Sequence, residues 1–265
     1  MTRDRYIFEG TPDAAELERL RMLEAVFDDK SQQWLRLAGP LLSRRCLEVG
    51  AGAGSIAAWL ASETGANGEV VALDANTRFL RGLPQGVRVV EGALGVVALP
   101  PRAFDLVHAR YVLIHNTNGE AMVDAMLQSL KPGGALIIEE PDFSAASAFT
   151  GPSSLRHAFD KVTRAIAETF SARGMDHAFG AALPQLVVER AAKLVAMEYD
   201  CPVVDGGTPL AEMMRLSALS LRDKYVATGL ATAADIDGYA EFAQTPGCWA
   251  GYYATARILA SKATS

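Results

Sequence analysis

Hydrophobic positions follow two different rhythms along this chain. Leu17, Leu20, Leu23 and Phe27 recur at helical spacing behind Thr11-Pro12-Asp13, where a proline and nearby acids suit a first helical turn. A second helix is expected over 31–38, closed by Gly39-Pro40. Short apolar runs then take over. They predict strands at 45–49, 69–74, 87–90, 104–109 and 135–139, with helices between them, most clearly over 119–130. Lys131-Pro132-Gly133-Gly134 reads as the turn into the fifth strand. Apolar strands that alternate with helices imply a parallel sheet covered on both faces, an α/β architecture.

Beyond Pro141 the helical rhythm returns. Helices are expected over 152–173, 183–192, 209–227 and 233–243, an extended stretch over 194–204, and a last strand over 252–259. The divisions this suggests are an N-terminal helical segment at 1–44, a ligand-binding core at 45–142, and a region at 143–265 that combines a helical cap with the final core elements.

The chemistry concentrates where the first strand ends. Glu48-Val49-Gly50-Ala51-Gly52-Ala53-Gly54-Ser55 joins an acidic strand end to a helix through three glycines at alternate positions. Glycine lets backbone turn sharply and approach a ligand closely. A dinucleotide loop reads G-x-G-x-x-G/A, and Ser55 occupies its sixth position here. Asp74 ends the second strand, where a carboxylate can accept hydrogen bonds from both hydroxyls of a ribose.

The loop, Asp74, the run 104–110 and the Leu130-Lys131-Pro132-Gly133-Gly134 segment resemble, as an ordered set, the class I S-adenosylmethionine-dependent methyltransferases. Tyr6-Ile7-Phe8-Glu9-Gly10 and Glu139-Glu140-Pro141-Asp142-Phe143 look like a bacterial subgroup that methylates small molecules. The resemblance implies a Rossmann-like, seven-stranded, mostly parallel sheet with a helical cap, S-adenosylmethionine as cofactor, and a small organic acceptor, as in secondary metabolism. It implies that Glu48, Gly50, Gly52 and Gly54 hold the methionine end, Asp74 the ribose, and Tyr6 a segment closing over the cofactor. Family members often carry an acid or Asn after the third strand to bind the adenine amino group. Ala93 stands there and cannot accept that bond, which leaves the backbone of Ala93 or Leu94, packing by Leu94, or Glu91 to serve.

His115 follows the fourth strand at the ligand-binding edge and is the candidate general base, its ordinary pKa near 6.5 suiting that task. Its other reading is a histidine satisfied by backbone. Arg110 ends the same strand. It could bind cofactor or an acidic acceptor, or pair with Asp142 or Glu140. His108 lies inside the strand and reads as structural, while His157 and His177 fall in the cap. Glu139, Glu140 and Asp142 share a strand end, but their spacing matches no metal motif, and no metal is expected.

The balance of the chain narrows the classes further. Half of the 265 residues are hydrophobic, enough for a large core, and the net charge is −6. An acidic chain is ill suited to gripping nucleic acid phosphates or an anionic membrane. No apolar run reaches the roughly 18 residues of a membrane span. Cys46, Cys201 and Cys248 are few and scattered, which suggests free thiols in the cytoplasm. A homodimer stays open. Three rival readings remain: an enzyme on this fold that retains S-adenosylmethionine without transferring methyl, an NAD-dependent oxidoreductase, and a non-catalytic binding or assembly subunit.

Overall fold

The computed structural model describes residues 6–190 and 192–263. Its centre is a seven-stranded sheet in the order β3-β2-β1-β4-β5-β10-β7. These strands are β1 (Arg45–Val49), β2 (Glu69–Asp74), β3 (Val87–Glu91), β4 (Phe104–Arg110), β5 (Leu130–Asp142), β7 (Lys193–Asp200) and β10 (Ala254–Ser261). All neighbours pair in parallel except β10, which runs antiparallel to both β5 and β7. The expected mostly parallel sheet is therefore present. The segment expected as a turn at 131–134 belongs to the start of β5, where Gly133 takes a φ of 73° and donates its N–H to the Lys262 carbonyl.

Helices α1 (Asp13–Leu37) and α2 (Ser55–Thr64) cover one face. There Trp34, Leu35, Ile56 and Leu60 pack against Cys46, Val70 and Leu106. Helices α3 (Gly119–Ser129) and α5 (Phe179–Glu189) cover the other, with Val123, Met126, Leu183 and Val187 against Val107, Leu136 and Ile258.

Two expectations need correction. The helices read at 13–27 and 31–38 are one helix, because Asp28-Asp29-Lys30 contains no glycine or proline to end it. The sheet is also not covered evenly. A single helical turn (Thr77–Phe79) joins β2 to β3, and the β3–β4 connection contains no helix. With little packed over it, β3 leaves Val89 exposed.

The cap consists of α4 (Ser153–Ser171), α6 (Pro209–Ser220), α7 (Arg222–Ala227) and α8 (Ala233–Gln244). The helix expected over 209–227 is thus two helices meeting at Leu221. Phe159, Val162, Met214, Tyr239 and Phe242 form the cap's apolar centre, joined by Ile7, Phe8 and Phe27. A small antiparallel sheet of β6 (Ser147–Ala148), β9 (Ala250–Gly251) and β8 (Val203–Val204) sits beside it. Helix α1 packs on both sheet and cap. Among the described residues no helix is long and apolar enough to cross a membrane.

Candidate active site

One cavity of about 730 Å³ lies between the C-terminal ends of the parallel strands and the cap. Ligands of open α/β sheets bind at this edge. Tyr6, Glu48, Gly50, Gly52, Asp74, Ala93, Leu94, Arg110 and His115 all line it, so the fold brings together nearly every residue the sequence singled out. Gly54 is the exception. It stands immediately before α2 with φ 92°, and a Cβ there would lie 2.7 Å from Leu83. Its place is in packing the helix start.

The glycine loop is a fitted cradle. Gly50 and Gly52 have φ of 69° and 59°, a region open chiefly to glycine, and a Cβ on Gly50 would lie 2.2 Å from the Val112 side chain. The N–H groups of Gly50 and Ala51 point back to the Leu73 carbonyl, and Gly52 donates to Asp74 Oδ2 at 2.8 Å. Asp74 Oδ1 accepts from Asn76 N–H at 2.8 Å. Each carboxylate oxygen thus keeps one lone pair for a ligand hydroxyl. Burial raises the Asp74 pKa, against the two backbone hydrogen bonds. The Ala93 carbonyl is occupied by the N–H groups of Val96 and Val97, while Glu91 accepts from Thr77 Oγ1 at 2.7 Å.

Glu48 opens a line of charges that crosses the sheet beneath α1. Its Oε2 lies 2.7 Å from His108 Nδ1, and His108 Nε2 lies 3.1 Å from Glu139 Oε1. Arg257 Nε donates to Glu139 Oε2 at 2.8 Å and its Nη1 to Glu198 at 3.0 Å; Lys30 of α1 ends the line on Glu198 at 2.8 Å. Strand register makes these contacts, since Glu48 stands opposite His108 and Arg257 opposite both Glu139 and Glu198. Burial opposes charge on His108, but the two carboxylates outweigh it and raise the pKa to about 9. The ring is therefore an imidazolium at neutral pH. Burial likewise opposes charge on Glu139, yet His108 and Arg110 hold it down to about 2. Glu48 Oε1 has no hydrogen bond among the described residues and belongs to the cavity wall.

Arg110 pairs with neither Asp142 nor Glu140. Its guanidinium donates to Asp28 at 2.9 Å and Ser31 at 2.8 Å, tying β4 to α1. Glu140 is buried and accepts three backbone N–H groups, from Val112, Leu113 and Ile114, at 2.8–3.0 Å. Burial raises its pKa to about 7 against those bonds. This carboxylate shapes the single-turn helix (Leu113–His115) that presents His115. Asp142 holds Ser144 and accepts from Tyr199 Oη at 2.6 Å.

His115 stands edge-on to Tyr6, 5.1 Å between centroids, and stacks on Phe170 at 6.0 Å. Burial, reinforced by Arg19, lowers its pKa to about 3. Its Nδ1 is sealed from solvent and has no partner among the described residues, so the alternative of a histidine satisfied by backbone does not hold. A ring this reluctant to take a proton suits the role of a neutral hydrogen-bonding group better than that of a general base. His157 is exposed on α4, and neither it nor His177 lines the cavity.

Tyr6 begins a strap across the opening. Its hydroxyl donates to Glu16 at 2.6 Å and accepts from Arg19 at 2.8 Å, and the guanidinium of Arg19 lies 3.9 Å from the centre of the Phe8 ring. Lys224 of α7 donates to the carbonyls of Ile7 and Glu9. Nothing in the spacing of residues foretells this tie, nor the buried charges on α1. Glu16, Arg19 and Glu24 are buried while Leu17, Leu20 and Leu23 are only half-buried, because the helix faces a cavity there. The one available signal was a polar residue at matching depth in otherwise apolar strands: Glu48, His108, Glu139 and Arg257.

Glu139, Glu140 and Asp142 are each committed to other partners, and the described residues include no group of three or more candidate metal ligands. Prolonged EDTA treatment is expected to leave activity intact. A loss reversed by Mg²⁺ would contradict that expectation.

Residues 47–138 match the model of a methyltransferase domain. A methyltransferase of Strobilurus tenacellus, str3, is 33% identical over 136 residues, which are 50% of this chain and 48% of that protein. The ubiquinone/menaquinone biosynthesis C-methyltransferase UbiE of Pseudomonas putida is 30% identical over 115 residues, 40% of this chain and 45% of its own. The chain thus spans about half the length of the curated relatives it matches. Among solved structures, phosphoethanolamine N-methyltransferase 2 of Haemonchus contortus, in complex with phosphomonomethylethanolamine and S-adenosylhomocysteine, superposes with a TM-score of 0.56 at 17% identity. That superposition covers 92% of this chain and 57% of the other, and it shows the shared fold. Residues 47–138 are thus similar to a methyltransferase domain, in line with the resemblance to the class I S-adenosylmethionine-dependent methyltransferases.

Proposed function

We propose that this protein transfers a methyl group from S-adenosylmethionine to a small organic acceptor held under the cap. The observation that carries the reading is the continuity of the cavity. A single space of about 730 Å³ runs from the glycine cradle and Asp74 to the rings and methionines of the cap, within the usual range for small-molecule sites. The cradle, the two free lone pairs of Asp74 and the unbonded Glu48 Oε1 suit a ligand with a ribose at one end and an ammonium at the other. When bound, S-adenosylmethionine supplies a methyl group already activated by its sulfonium.

The residues of the chain then need only align the acceptor, and such positioning lowers barriers by roughly 7–11 kcal/mol. Asp74 holds the ribose, Glu48 and the loop backbone the methionine end, and Leu94 packs on the adenine while Ala93 contributes only backbone. The strap carrying Tyr6 excludes water. His115 orients the acceptor through its free nitrogen. Arg110 acts on placement, holding β4 to α1. These assignments make residues 45–142 the cofactor half and the cap the acceptor half.

The direct test is calorimetric titration with S-adenosylhomocysteine, followed by assay of its release from S-adenosylmethionine across a panel of small acceptors. Absence of binding would refute the proposal. Binding with an acceptor converted but no homocysteine derivative released would favour an enzyme that retains the cofactor unconsumed. Alanine at position 93, whose methyl group offers the adenine no hydrogen-bond acceptor, favours that second reading. His115→Ala is expected to lower turnover about tenfold, roughly 1.4 kcal/mol, while S-adenosylhomocysteine affinity stays within twofold. Equal losses in both would place His115 on the cofactor instead.

A further inference from the structure

The acceptor end of the cavity has a distinctive wall. Tyr111, Tyr253, Phe143 and Phe170 form a continuous run of rings, with centroid spacings of 5.9, 5.2 and 5.6 Å, and Met213 and Met214 of α6 face the same space. Flat side chains in edge-on and stacked order leave a slot-like surface that favours another ring.

Among the described residues, the charged groups beside this wall are already paired. The cations beside it are Arg19, bound to Glu16 at 3.0 Å and to Tyr6, and Arg110, bound to Asp28 and Ser31. The nearby carboxylates are equally engaged, Glu140 by three backbone N–H groups and Asp142 by Ser144 and Tyr199. An acceptor carrying a carboxylate, phosphate or ammonium would enter this space with no counter-ion, and burying an unpaired charge is strongly unfavourable.

Two polar atoms are left over. Tyr253 is 3% exposed and lines the cavity; its hydroxyl lies beside that of Tyr111 but makes no hydrogen bond of good geometry among the described residues. His115 Nδ1 is in the same state at the far end of the ring run, beside Phe170. Buried polar groups are rarely left unsatisfied, and those that are point to a missing partner. One group donates and accepts, and the other belongs to a neutral imidazole, so an uncharged hydroxyl suits either.

We infer that the acceptor is an uncharged aromatic compound bearing a phenolic hydroxyl, its ring held in the Tyr111–Phe170 slot and its hydroxyl recognised at one end of that slot, by Tyr253 or by His115. The inference rests on the methyl-transfer reading of the cavity and narrows its substrate class.

The test uses the full chain loaded with S-adenosylhomocysteine and four probes of one shape: 2-naphthol, 2-naphthoate, 2-naphthylmethylamine and naphthalene. Fluorescence titration is expected to show 2-naphthol binding at least tenfold more tightly than each of the others, since a site built to bond a hydroxyl rejects analogues that lack it. Of Tyr253→Phe and His115→Gln, the one that removes the group holding the hydroxyl should shrink the preference for 2-naphthol over naphthalene at least fivefold, and neither should change S-adenosylhomocysteine affinity. Equal or tighter binding of the naphthoate or the amine would overturn the inference. So would an unchanged preference in both variants, or failure of all four probes to bind while S-adenosylhomocysteine binds. Failure of S-adenosylhomocysteine itself to bind would remove the methyl-transfer reading and this inference with it.

Discussion

Replacing His108 with leucine is expected to destabilise the protein by about 3–5 kcal/mol, the usual result of breaking a buried ion pair. The ring is fully buried between Glu48 and Glu139. Without it, two carboxylates face each other inside the sheet, with Arg110 and Arg257 as their remaining cations. The effect carries a pH signature. The folded-state pKa of His108, about 9, lies above its ordinary value of 6.5, so its contribution is fully present below about 6.5 and is lost as pH rises through 9. Urea unfolding of the wild type should show stability falling between pH 6.5 and 9, and His108→Leu should lack that component. Parallel pH profiles for the two proteins would show that the ring is neutral in the folded state.

Asp74→Ala is expected to weaken S-adenosylhomocysteine binding about hundredfold, close to 2.8 kcal/mol. On the proposed reading, the change removes two charge-assisted hydrogen bonds to the ribose. It also frees the N–H groups of Gly52 and Asn76, which the carboxylate holds at 2.8 Å, so the cradle loosens as its ligand contact is lost. Asp74→Asn keeps an oxygen for one of these groups and should bind with intermediate affinity. Calorimetry that found Asp74→Ala within threefold of the wild type would mean that the ribose lies elsewhere.

The sheet was legible because its signals are local. Apolar runs bounded by glycine mark the strands, and the alternate glycines with Asp74 mark the cofactor edge. The corrections share a different cause. Whether a helix continues through Asp28-Asp29-Lys30 depends on what its faces meet, and Arg110 finds Asp28 and Ser31 only once α1 is laid over β4. The environment of His115 is hidden for a similar reason. Its position in the chain is that of a base, but its basicity is set by Tyr6, Phe170 and Arg19, which arrive from three distant segments. Long-range burial of this kind leaves no trace in spacing.

Helix α1 has 25 residues and is about 37 Å long. Its first half supplies Glu16, Arg19 and the strap's anchor. Its second half reaches the sheet through Asp28, Lys30 and Ser31. A single helix fastened to both floor and roof acts as a gauge block. On the proposed reading, the gap between cofactor and acceptor is set by this one piece, not by the loops that join core to cap. Sequence drift in the cap can therefore reshape the walls of the chamber while its height stays fixed.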